Sequence, residues 1–259
     1  MKQIARSGLR FVTLLLICGL ALQLYFLVRV ALMLVIDPQS TSFQRSEAWR
    51  LLSEKHQIVW AQDWVSDAQI SDHLKRAVIA SEDAGFADHH GVEWEAIEKA
   101  WSRNQKAEAR AEQTNEQLAK RQAARKADAA APARATPKLV GGSTISQQLA
   151  KNLFLSGERT IARKAQEFVI TFMLEALLSK RRILTIYLNN VEWGEGVFGA
   201  QAAARTYFRS DAARLSAPAA ARLAVMLPAP KRFEKQPGSA YVSGRAATIV
   251  ARMGAVELP

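Results

Sequence analysis

A chain of 259 residues, 49% of them hydrophobic, can build one substantial domain with a real core plus an additional segment. Its formal net charge of +11 calls for an anionic partner, and composition alone leaves nucleic acid, anionic lipid and a phosphorylated substrate open. The single cysteine, Cys18, excludes an intramolecular disulfide and any cysteine-based zinc site.

The first ten residues, MKQIARSGLR, carry Lys2, Arg6 and Arg10 and no acid. Phe11–Val28 holds no charge, Arg29 follows, and Val30–Ile36 is again apolar. Residues 11–36 are long enough to cross a hydrocarbon core of about 30 Å, with Arg29 snorkelling to the interface. A cleaved signal peptide fits less well, because the apolar part is long and lacks an A-x-A-like exit. Bulky Ile17 before Cys18 argues against a lipoprotein. With the basic tail 1–10 kept in the cytoplasm, everything after about residue 37 lies outside. That placement argues against nucleic acid and for an anionic, lipid-linked substrate.

Residues 37–65 read as a polar connector with some helical character. Ser66 and Gln69 fit a capping box, and Ile70, Leu74, Ala77 and Val78 fall on one helix face that delivers Glu82 and Asp83 at its end. The loop AGFADHHG and a helix over about 92–101 follow. Residues 103–138 hold nine Lys or Arg against four Asp or Glu and no aromatic residue. Ala and Glu favour helix there to about Lys126, and the whole reads as a mobile surface insertion, with a basic flap toward anionic head groups as the functional alternative. From Gly142 onward the pattern is helical. Ile161, Ala165, Phe168, Phe172 and Leu177 predict an apolar stripe, with Arg159, Arg163 and Glu167 on the opposite face. Strand-like alternation is scarce, so the fold class is mainly α.

GGSTISQQLAKN, from Gly141, has the makings of an anion cradle. Ser143 or Thr144 supplies the N-cap, Gln147 completes a capping box with Thr144, and Lys151 adds a charge about two turns in. Two carboxylates, a set of cations and such a cradle suggest chemistry on a phosphorylated, lipid-linked molecule.

These residues also carry a family resemblance. SEDAGFADHHG, GGSTISQQLAKN, RKAQE and RRILTIYLNNVEWGEGVFGAQAAARTYF resemble, in order, the motifs of the peptidoglycan glycosyltransferases of family 51. The resemblance spans about Gln69–Pro230. It implies a lysozyme-like, two-lobed glycosyltransferase domain over 66–259, behind one transmembrane helix in the bacterial inner membrane and facing the periplasm. It implies polymerisation of lipid II onto a growing glycan chain by inverting β-1,4 transfer, with release of undecaprenyl diphosphate. Glu82 becomes the general base and Glu167 the second catalytic acid. Ser143, Gln148, Lys151 and Arg159 map to the pyrophosphate side, and Asp83, Thr144, Arg163 and Lys164 join them as substrate-binding residues. No cofactor is required and no metal ligand is assigned, although Glu167 leaves room for a divalent ion, Mg or Mn, beside its expected task of orienting Arg163 and Lys164. Cell-division or elongation proteins are the further partners implied.

The chain departs from the family pattern at Ser146 (usually Thr), Gln166 (often basic), Glu93 (commonly Asp) and Ala219 (usually Glu). His73 is expected to face solvent, His89 to shape the first-motif loop, and Glu192 and Glu195 to be structural. The rival readings are a lytic hydrolase, which needs no anion cradle, and a non-catalytic membrane-tethered scaffold.

Overall fold

The computed structural model describes residues 2–123, 134–136, 141–158 and 160–259. The chain divides into two compact units: residues up to Gly91 together with Thr144–Pro259, and Val92–Ser143.

The first unit opens with α1 (Lys2–Leu32), of which Ser7–Leu32 is long and apolar enough to cross a membrane. The helix ends short of Ile36, the limit expected for the anchor. α2 (Ser42–Lys55) starts on a capping box in which Gln44 N–H donates to Thr41 Oγ1 (3.1 Å) and Thr41 N–H to Gln44 Oε1 (2.9 Å). β1 (Ala61–Gln62) and a 3-10 turn, which carries the expected Ser66–Gln69 box, lead to α3 (Asp72–Glu82). Ile70, Leu74, Ala77 and Val78 are buried as their spacing predicts.

The second unit is built on α4 (Trp94–Ala123), one continuous helix where the sequence suggests a break near Trp101. Asn115 staples a returning strand of chain to it, donating to Ala135 O (3.0 Å) and accepting from Ala135 N–H (2.7 Å). The segment expected as an insertion, 103–138, falls within this unit, and part of it lies outside the described residues.

The first unit resumes with α5 (Ile145–Phe154), α6 (Ile161–Leu177) and α7 (Lys180–Asn190). β2 (Glu192–Gly194) and β3 (Val197–Phe198) follow, with β3 central in a small sheet, antiparallel to β2 and parallel to β1. α8 (Ala200–Phe208), α9 (Ala217–Met226), α10 (Pro230–Phe233) and α11 (Ala240–Met253) complete it. α3, α9 and α11 pack on one another, and α5 lies along α6. Asn189 ties α7 to the connector: its Nδ2 donates to Val65 O (3.0 Å) and its Oδ1 accepts from Val65 N–H (2.9 Å).

The apolar stripe on α6 is its outer face, with Ile161 91% and Phe172 49% exposed. The buried face carries Glu167, Ile170, Thr171 and Leu174 instead. α6 also packs against α1, the membrane-spanning candidate, through Gln166.

Candidate active site

Glu82 is the last residue of α3, so its carboxylate leaves the helix where backbone pairing stops. Gln148, one turn into α5, donates through Nε2 to Glu82 Oε2 (3.0 Å). Tyr187 on α7, fully buried, donates its hydroxyl to Gln148 Oε1 (2.9 Å) and so fixes which end of the amide faces the acid. Burial pushes the Glu82 carboxyl above its usual range, with Asp83 adding to the rise. The Gln148 bond and the charge of Lys151 act the other way.

Asp83 stands elsewhere than expected. It is 4% exposed, and both its oxygens are engaged by the protein. Oδ2 accepts from the Ile145 N–H (2.9 Å) and Oδ1 pairs with His89 Nε2 (2.8 Å). The Gly91 N–H donates to His89 Nδ1 (3.1 Å), which puts the imidazole proton on Nε2, directed at Asp83. Gly91 sits at φ +85°, and a Cβ there would meet Glu175 Cγ and Thr171 Cγ2 at 2.8 Å, so the loop closes only with glycine.

The anion cradle at the start of α5 exists, but its occupant is internal. Thr144 is the N-cap, its hydroxyl donating to Gly91 O (2.7 Å) and accepting from Gln147 N–H (3.2 Å). The Thr144 N–H donates to Gln147 Oε1 (3.1 Å), and the Ile145 N–H holds Asp83. Asp83 takes the place at the positive helix end that the sequence reading gave to a substrate phosphate. Thr144, at 3% exposure, is buried and spends its hydroxyl on Gly91 and Gln147.

Cationic groups gather instead on α6. Arg163 Nη1 pairs with Glu167 Oε2 (2.8 Å) and Lys164 Nζ with Glu167 Oε1, so the buried acid holds both cations in place. Lys151, at the end of α5, is exposed by area, yet protein around its ammonium lowers its pKa, helped by Arg163 and Lys164 and opposed by Glu167 and Glu82. Its charge therefore links the two acids. Arg159 lies outside the described residues, and Ser143 belongs to the second unit.

Two contributors escape a sequence reading. Tyr187 lies 39 residues from Gln148, and nothing local marks it. Glu175 accepts from Ser146 and pairs with Lys180 (2.9 Å), whose ammonium lies 4.6 Å from the Phe86 ring centre. The hydroxyl kept at Ser146 was its only trace. The arrangement can therefore deprotonate a hydroxyl at Glu82 and neutralise negative charge at Lys151 and α6.

A transglycosylase family model matches residues 51–131 and 121–254. A biosynthetic peptidoglycan transglycosylase of Paraburkholderia phytofirmans is 47% identical, covering 94% of this chain and 90% of that protein. Those of Burkholderia pseudomallei and Paraburkholderia xenovorans are 50% and 46% identical, over 93% and 94% of this chain and 83% and 90% of theirs. The chain belongs to the transglycosylase family.

Proposed function

We propose that the chain is a peptidoglycan polymerase that extends a glycan strand with lipid II. The observation that carries this reading is a half-buried Glu82 whose carboxyl pKa is raised, held by Gln148 and coupled through Lys151 to the Arg163–Lys164–Glu167 cluster. Glu82 takes the proton from the acceptor 4-hydroxyl as that oxygen attacks the anomeric carbon of the growing chain. The new β-1,4 bond forms as the α-linked diphosphate leaves, and Lys151, Arg163 and Lys164 neutralise the departing charge. Diphosphate so neutralised departs without a protein acid. Gln148 orients the base, and Glu167 aligns the cations.

A divalent ion at Glu167 fits poorly, because both carboxylate oxygens already hold cations, and no step is assigned to one. α1 serves as a single-pass inner-membrane anchor with its basic end in the cytoplasm, placing residues 66–259 in the periplasm. The segment 103–138 is accessory, and cell-division or elongation proteins are further partners of the chain as a whole.

Labelled lipid II supplied to the full chain in vesicles should yield polymer, and Glu82→Gln should slow it by about 10²–10⁴. Shortening of preformed glycan instead would favour a lytic hydrolase, and a folded wild-type chain inert in both assays would leave a scaffold.

A further inference from the structure

α1 changes character at Gln23. Side chains from Ser7 to Leu22 are exposed, whereas Phe26, Val30 and Met33 are 7%, 0% and 3% exposed. These three continue the helix face on which Gln23 lies. Gln23 is the one carboxamide between Phe11 and Ile36, and it meets another. Its Nε2 donates to Gln166 Oε1 (2.7 Å), and Gln166 Nε2 donates back to Gln23 Oε1 (3.0 Å). The pair closes a ring of two hydrogen bonds between α1 and α6.

Above it the contact continues. Phe26 meets Phe154 edge to face at 5.4 Å, and Arg182 on α7 grips the helix end. Its Nε donates to Met33 O (2.8 Å), Nη2 to Ile36 O (3.1 Å), and Nη1 pairs with Asp37 (2.7 Å).

Helix geometry gives the pair a depth. With Arg10 at the inner boundary, Phe11–Leu22 rise about 18 Å against a hydrocarbon core of about 30 Å. Gln23 and Gln166 then meet in the outer half of the span, toward the interface, where an unpaired carboxamide still finds less water than in bulk. Gln166 immediately precedes Glu167 and lies within one turn of Arg163 and Lys164. A lipid-linked substrate holds its diphosphate at the membrane surface. The cations must meet it at that height, and an anchor free to swivel would present them at many heights.

We propose that Gln23 and Gln166 form a latch that sets the height of the cationic pocket against the bilayer, making both positioning residues for the lipid-linked substrate. The proposal rests on the polymerase reading above and adds to it the element that aligns enzyme and lipid.

The test uses the full chain in proteoliposomes with lipid II. Gln23→Leu and Gln166→Leu should each raise KM roughly 3- to 20-fold, the span expected for hydrogen bonds between helices in a membrane, with kcat within about twofold. The double Leu variant should be no worse than the poorer single one, because both remove the same contact. In a Cys18→Ser background, Gln23→Cys with Gln166→Cys should be bridged by a short bifunctional thiol reagent. Bridging should restore the KM that the unbridged pair loses. Unchanged KM in the single variants, losses that multiply in the double, a fall in kcat alone, or failure of the reagent to bridge would each overturn the latch. Wild type that fails to polymerise would overturn the polymerase reading instead, and the bridging result would still report whether the contact exists.

Discussion

Tyr187 donates its hydroxyl to Gln148 at 2.9 Å, and that single bond decides the chemistry offered to Glu82. With Oε1 occupied by the phenol, only the NH2 end of the amide can face the carboxylate. Tyr187→Phe frees the amide to rotate. Because the Gln148 bond lowers the Glu82 pKa, its loss raises that pKa further. A base works only when deprotonated, so the acid limb of the kcat/KM profile should move to higher pH. A pH–rate series on wild type and Tyr187→Phe checks this, with kcat at neutral pH falling by about tenfold.

Asp83 should behave as a brace. Asp83→Asn turns an NH2 group toward either the Ile145 N–H or the His89 Nε2–H, leaving donor against donor. The expected cost is about 2–3 kcal/mol of stability, read as a lower melting temperature in detergent. KM for lipid II in the folded fraction should stay near wild type.

Glu167→Gln should act through Lys151. Glu167 raises the pKa of that ammonium, while burial and the neighbouring cations lower it. Without the acid, Lys151 loses its proton at lower pH, so the alkaline limb of kcat/KM should shift downward. The cations Arg163 and Lys164 also lose their shared partner, and KM should rise with the shift.

Glu192 predicts a pH-dependent stability unrelated to catalysis. Burial, reinforced by Glu47 and Glu234 and opposed by Lys231, pushes its carboxyl up to about 7. The folded chain therefore holds a proton that the unfolded chain releases nearer the ordinary carboxyl value of 4.5. Stability from this group is present at low pH and declines as pH rises toward and through about 7. Melting curves between pH 5 and 8.5 should show that decline, and Glu192→Gln should flatten it.

What was legible in the sequence was local. The boxes at Ser66–Gln69 and Thr144–Gln147, and the α3 face from Ile70 to Val78, follow from spacing within one or two turns. The α5 start was recognised as a seat for an anion, but the anion, Asp83, lies 62 residues from Ile145. Tyr187 and Glu175 act through partners on other helices and leave no periodic mark. Helical spacing alone does not say whether Ile161 and Phe172 lie inward or outward, and both lie outward.

The buried stripe on α1 bears on how this protein can be prepared. Cutting the chain ahead of Gln23 would remove, among the described side chains, only exposed ones. Cutting at Asp37, the obvious way to a water-soluble fragment, would strip Phe26, Val30 and Met33 from their seat and leave the Arg182 guanidinium without the carbonyls of Met33 and Ile36. A fragment of the second kind should self-associate through the uncovered trough unless detergent fills it.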